Sequence, residues 1–404
     1  MELLAPAGNI EKLFYVYEYG ADAAYIGIKN FSLRARADNF NTDEYLKVRE
    51  LKGNRKLYGA LNIFFKNSDI SRLEENIEYL KEYPFDAFII SDIGILPILR
   101  KHYPDIPLHL STQASCINAS AASIYKDMGF SRVILGRETS LDEVKQIKDS
   151  VKDLELEIFI HGAMCLAYSG RCFLSKYMID RSANQGDCAH SCRWQYRVLE
   201  EEQRSGQYYP VVSGENFTTI LSSKDLCMFD YMKAVKDAGV DSCKIEGRMK
   251  SIYYAAVITR AYRKAIDSVN GKTVPDLKRY REDLFNVSHR EYTTGFYFGF
   301  DDVQESTQKN YLRRYKFLGS IGAEERKGLF RLNVKNQIMQ GQELEYIGPD
   351  IPAIQDNSYV IYDSEMNPVT QADHGKEYFI KPGVPVQQWY ILRMKTETEE
   401  SLVG

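Results

Sequence analysis

A (β/α)8 barrel of the TIM type, with a cysteine-rich insertion and a small all-β C-terminal domain, is the architecture this 404-residue chain predicts. Three observations predict it. Apolar strand-like runs recur eight times in about the first 265 residues, most separated by amphipathic segments. The rhythm breaks once, between the seventh and eighth runs, at a polar stretch holding five of the seven cysteines. From about Tyr315 the texture turns to short alternating runs between turn residues.

The elements follow in order. "ELLAPAG" ends at Pro6 and Gly8, and a helical pattern spans Ile10 to Tyr19. "AAYIGI", "KLYGALNIF", "AFIISD", "PLHLSTQ", "RVILGRE" and "EIFIHG" supply strands two to seven, and "SCKIEG" the eighth. Repeated strand–helix units imply a parallel sheet with right-handed crossovers. A doubly wound open sheet stays the alternative, because strand order is not written in one sequence. The expected boundaries are 1–265 for the barrel, about 162–236 for its insertion, 266–314 for a connection and 315–404 for a small β-barrel or sandwich. Barrel enzymes build their sites from loops at the carboxyl ends of the strands. An insertion that starts at "FIHGAMC" therefore starts on the catalytic face.

Composition narrows the class. The chain is 44% hydrophobic and 27% charged, with net charge −4, which argues against broad electrostatic binding to nucleic acid while leaving room for local basic patches. No apolar run approaches the ~18 residues of a membrane span, and "MELLAPAGNIEK" is not a secretory opening. The expected compartment is the cytoplasm, where seven cysteines stay reduced. Gly-x-Gly-x-x-Gly, His-Glu-x-x-His and Gly-x-Ser-x-Gly are absent, and "NGKT" lacks the upstream glycine of a phosphate loop.

Cys165, Cys172, Cys188 and Cys192 fall within 28 residues. Spacing alone leaves four readings open: an iron–sulfur cluster, whose ligand spacing is loose; zinc, which prefers tighter pairs; a dithiol redox centre; and unrelated core thiols. Cys227 competes for a ligand position. Cys116 and Cys243 lie beside apolar runs and are expected in the core.

At these residues the sequence resembles a known family. "HGAMCLAYSGRCFLS", "RSANQGDCAHSCRWQY", "SSKDL", "SCKIEGRMKSIYYAAVITRAYRKAID", "FSLRARADNF", "HLSTQASCIN" and "NVSHREYTTGFYFG" are similar to the collagenase-like peptidases, and most to the branch that converts the wobble uridine of tRNA to 5-hydroxyuridine. The resemblance runs from Met1 to about Gly299 and continues loosely into the tail. It implies oxygen-independent hydroxylation supported by a 4Fe–4S cluster, with prephenate as co-substrate. The family's four-cysteine motif falls on Cys165, Cys172, Cys188 and Cys192, with Cys227 as the alternative fourth ligand. A tRNA anticodon loop is the implied partner, joined by a small-molecule donor and by an electron donor or paralogous chain. Peptide hydrolysis, or metal and RNA binding without catalysis, are the competing readings.

Prephenate carries two carboxylates and calls for arginine forks. Arg34, Arg36, Arg137 and Arg248, at strand ends or the loops after them, are the substrate-binding candidates. His161 for proton transfer, Glu246 as a base and Gln113 for reading a base edge complete the catalytic set. "KIEGRMK" and "KNYLRRYK" are the basic patches expected to meet phosphates.

Overall fold

The computed structural model describes residues 1–29, 31–33, 40, 44–165, 167–193, 212–214, 217–219, 223–299, 312 and 314–396. Arg34, Arg36 and half of "KNYLRRYK" (309–311 and 313) lie outside the described residues.

Eight parallel strands close into a barrel. They are β1 (Glu2–Ala7), β2 (Ala23–Gly27), β3 (Lys56–Leu61), β4 (Ala87–Ile90), β5 (Leu108–Leu110), β6 (Arg132–Ile134), β7 (Glu155–Ala163) and β11 (Ser242–Ile245). Each pairs with the next, and β11 pairs with both β7 and β1. The closed ring decides against an open doubly wound sheet. Between β7 and β11, β8 (Val212–Gly214) and β9 (Phe217–Thr219) form a separate hairpin. There too, β10 (Asp225–Cys227) runs antiparallel to the outer end of β7 and parallel to β12 (Tyr292–Thr293).

The strands are near-continuous apolar runs because both faces are covered. Charges enter at the amino-terminal end, where Arg132 lies 2.6 Å from Glu2 and 3.0 Å from Glu157. Lys244 reaches Glu157 at 2.9 Å. Every member of this buried set has an opposite charge in contact, which is the condition for burying charge at all.

β7 carries one extra residue. Lys244 faces Phe159, but Ile245 faces His161, so the inward–outward alternation flips after Phe159. Gly162 follows with φ +108, and a Cβ there would stand 2.5 Å from the carbonyl oxygen of Glu246. Only glycine meets both conditions.

The C-terminal region is one antiparallel eight-stranded sheet around Tyr315–Arg326, Leu329–Val334 and Ile391–Lys395, with its own core of Leu318, Ile321, Leu332, Tyr346, Ile361 and Leu392. It docks on the helix Ile252–Val269. Arg260 of that helix contacts Asp283 and donates to the carbonyls of Gly348 and Pro352, both at 2.8 Å. Arg393 of the sheet bridges Asp283 at 2.9 Å and Glu345 at 2.8 Å. Removing one partner from such a buried set costs ~3–5 kcal/mol, which ties the sheet to the barrel. Among the described residues no helix is long and apolar enough to cross a membrane.

Candidate functional site

A cavity of about 640 Å³ opens at the carboxyl ends of the barrel strands. Its floor is made by inward residues of the strands, among them Tyr25, Ala60, Phe159 and Lys244; its walls come from the loops that follow them. The volume is that of a pocket for a small metabolite or one nucleotide.

Cys165, Cys172, Cys188 and Cys192 all line this cavity. The segment that carries them is stapled to the barrel loops. Glu138 accepts from the backbone N–H and hydroxyl of Ser169 at 2.6 and 2.9 Å. Arg171 donates to the carbonyl of Gln113 at 2.7 Å. Asn184 accepts from the N–H of Cys172 at 3.1 Å, while its own carbonyl takes the N–H of Phe64. Ser169, Asp180 and His190 all adopt left-handed backbone (φ 47, 57 and 57). Non-glycine residues hold that conformation when surrounding contacts over-determine it, as at ligand clamps.

The donor set suits a soft metal or an iron–sulfur cluster, since four thiols face one cavity. As placed, no group of three or more His, Cys, Asp or Glu among the described residues stands at metal-holding distance. Binding would have to draw the thiols together. Cys227 is not part of the lining. It sits on β10 with its Sγ 3.7 Å from the Tyr262 hydroxyl, and burial pushes its thiol up to about 11.

Cations dominate the remaining walls. Arg248 is buried, donates to the Ser32 hydroxyl at 2.7 Å and lies over the Tyr25 ring. Arg137 stacks on Phe159, 3.9 Å from its centroid, and comes within 3.9 Å of Glu246. Lys244, Lys250 and Arg171 also line the cavity, against Glu246 as the one lining carboxylate among the described residues. Burial lowers the Lys244 ammonium, and Glu157 pulls it back. Such a wall fits an anion. "APAG", which ends β1 and runs one residue past it, serves it: a Cβ at Gly8 would meet the Arg248 carbonyl at 2.5 Å, and the Lys12 ammonium donates to that same carbonyl at 3.1 Å.

Gln113, which follows β5, lines the cavity and is 96% buried, and its side-chain carbonyl has no hydrogen-bond partner. An orphaned buried acceptor is costly unless something donates to it. That leaves an acceptor on the cavity lining open to a ligand donor.

His161 is not brought to the cavity. The extra residue in β7 turns it outward into a layer of Tyr254, Tyr262 and Tyr292 rings, with Nδ1 3.2 Å from the Tyr262 hydroxyl. Burial lowers it to about 3, so it is neutral at physiological pH and takes no proton from the cavity. Beside it, Asp225 is held down to about 2, against the penalty of burial, by Arg290 at 2.6 Å. Sequence reading missed Arg171, and it took Lys244 and Lys250 as members of a basic run meeting phosphates rather than as cavity lining. The inward place of Lys244 was signalled by a lysine inside an apolar run matched by Glu157 in another, but their pairing appears only when the barrel closes.

A closed barrel with a cationic cavity edged by four thiols at its catalytic end, and a β-sheet domain docked behind it, defines an enzyme scaffold. Residues 8–307 match peptidase family U32 and residues 313–393 match the peptidase family U32 C-terminal domain; the chain belongs to this family. It is 36% identical over 398 residues to tRNA hydroxylation protein P of Escherichia coli, covering 86% of each chain. To tRNA hydroxylation protein P1 of Bacillus subtilis it is 36% identical over 380 residues, covering 92% of this chain and 89% of the relative. A collagenase of Porphyromonas gingivalis is 33% identical over 313 residues, covering 74% and 73%.

Proposed function

We propose that this chain is a tRNA hydroxylase that converts the wobble uridine to 5-hydroxyuridine in the cytoplasm without molecular oxygen, the oxygen atom and the two oxidising equivalents coming from a small-molecule donor. The observation that carries the reading is a single cavity, of nucleotide size, whose lining joins four thiols, a cationic wall and an unpaired Gln113 carbonyl, in a chain related along most of its length to tRNA hydroxylation proteins.

In this reading Cys165, Cys172, Cys188 and Cys192 hold a 4Fe–4S cluster. Cys227 is set aside as a ligand because it faces Tyr262. When bound, such a cluster supplies one-electron chemistry. The chain's own residues do the rest. Arg137 and Arg248 take the carboxylates of prephenate, as charge-assisted forks whose planes are already fixed by Phe159 and Ser32. Gln113 accepts the N3–H of a uracil swung out of the anticodon loop. Glu246, near Arg137, is the group placed to hold or release a proton beside the ligand. Apolar lining from Met164, Ala167 and Leu174 limits water around the reacting base.

The test is nucleoside mass spectrometry of tRNA from a strain lacking the gene and any paralogue, with the wild-type chain or a Gln113→Leu variant restored. The wild-type chain should return 5-hydroxyuridine-derived nucleosides, and the variant should return less than a tenth as much. A strain whose modified nucleosides persist without the chain, or anaerobically prepared protein that cleaves peptides instead, would contradict the reading.

A further inference from the structure

Twelve large apolar side chains are exposed among the described residues, and five of them fall between positions 168 and 179: Tyr168, Phe173, Tyr177, Met178 and Ile179. Chance scatter does not concentrate them so; an exposed apolar patch of this kind marks a contact surface. Its composition says what it contacts. The three largest members are rings, 50%, 69% and 79% exposed for Tyr168, Phe173 and Tyr177. Phe173 and Tyr177 are one helical turn apart, joined by the Tyr177 N–H to Phe173 carbonyl bond at 2.9 Å, so both rings rise from one face. Phe173 also lines the cavity, so the ring surface runs directly into the site.

Cations are interleaved with the rings. Lys176 sits between Phe173 and Tyr177 and contacts Asp180; Arg181 pairs with Asp187 at 2.6 Å. The Lys176–Asp180 pair is exposed, contributes little and gives way to a phosphate, while Arg181 is half-buried with its guanidinium at the edge of the patch. A protein partner would select an apolar core depleted of lysine. Rings alternating with exchangeable cations, at the mouth of a cationic cavity, are the pattern of a single-stranded nucleic-acid surface.

We propose that Tyr168, Phe173 and Tyr177 stack the unpaired RNA bases that flank the nucleotide held in the cavity, while Lys176 and Arg181 take the phosphates between them. This rests on the RNA reading of the cavity. The rings supply affinity without sequence preference, because every base offers a π-face.

The test uses the full-length chain with its metal content intact and an anticodon stem-loop RNA as probe. Fluorescence anisotropy at two salt concentrations compares the wild type with a Phe173→Ala/Tyr177→Ala double variant and a Lys176→Ala/Arg181→Ala double variant. Phe173, Tyr177 and Lys176 are exposed, so unchanged circular dichroism is expected for the ring variant, and a Lys176→Ala single variant serves as the control for the half-buried Arg181. The ring variant should bind about tenfold more weakly per ring, with its salt dependence unaltered. The charge variant should show a shallower salt dependence. Wild-type protein should lose the same affinity for a stem-loop whose flanking nucleotides are abasic, and the ring variant should lose little more. If the wild type hydroxylates the stem-loop but the ring variant binds it equally well, the stacking surface is wrong and the RNA reading stands. If the ring variant changes only the sedimentation of the chain, the patch is a protein interface and the proposal is overturned. If the wild type neither binds nor hydroxylates RNA, the reading beneath it falls.

Discussion

The outer end of β7 separates two sets of reactive side chains that the sequence places almost together. On one side Cys165, Cys172, Cys188 and Cys192 edge a cavity with cationic walls. On the other, His161 and Asp225 are buried and Cys227 is half-buried, each with a partner: the Tyr262 hydroxyl for Cys227 and His161, and Arg290 for Asp225. The chemistry on offer is similar; only the first set faces the cavity. Burial raises Cys227 to about 11 and lowers His161 to about 3, so both are locked neutral. A thiol that stays protonated is neither a nucleophile nor a metal ligand. One extra residue in a strand makes the difference, because it decides which way His161 points.

Exchanging residues across that divide should break or sharpen the contrast. The largest effect is expected for serine at any of the four cavity cysteines: hydroxylation of tRNA, followed by nucleoside mass spectrometry, should be abolished, whereas Cys227→Ser should keep most of it. Asp225→Ala leaves Arg290 buried without its counter-charge and should cost ~3–5 kcal/mol in urea unfolding, with little effect on ligand affinity. Arg248→Ala removes a cavity cation and should do the reverse. It should lower kcat/KM for the anionic co-substrate by about a hundredfold while leaving stability within ~1 kcal/mol, as a lost charge-assisted bond does. The smallest effect belongs to His161. Its folded pKa of about 3 lies below the unfolded value of ~6.5, so the unfolded chain binds the proton first and stability falls as pH drops below that value. Unfolding free energy should lose ~1 kcal/mol more between pH 7 and 5.5 in the wild type than in a His161→Gln variant. Activity over the same range should not follow a His161 titration.

The barrel was legible because its strands are short apolar runs with helical segments between them, and such runs have few other uses. "EIFIHG" marked β7 and its loop as the start of the site for the same reason. What could not be read was handedness within a strand. His161, by simple alternation from Phe159, belongs in the cavity, and nothing local announces the bulge except the glycine that follows it. β10 and β12 escaped notice because two or three residues of pairing leave no periodicity. Lys244 and Glu157 stand 87 positions apart and meet through closure of the ring. The cysteine set was visible through clustering, but only geometry separates Cys227 from the other four.

The sharpest test of that separation is iron and acid-labile sulfide measured on the anaerobically purified chain and its single-cysteine variants. The wild type and Cys227→Ser should each carry ~4 iron and ~4 sulfide per chain, and Cys172→Ser and Cys188→Ser should carry almost none. Loss of iron from Cys227→Ser with retention in the cavity variants, or a wild-type chain that binds zinc in place of iron, would contradict the account.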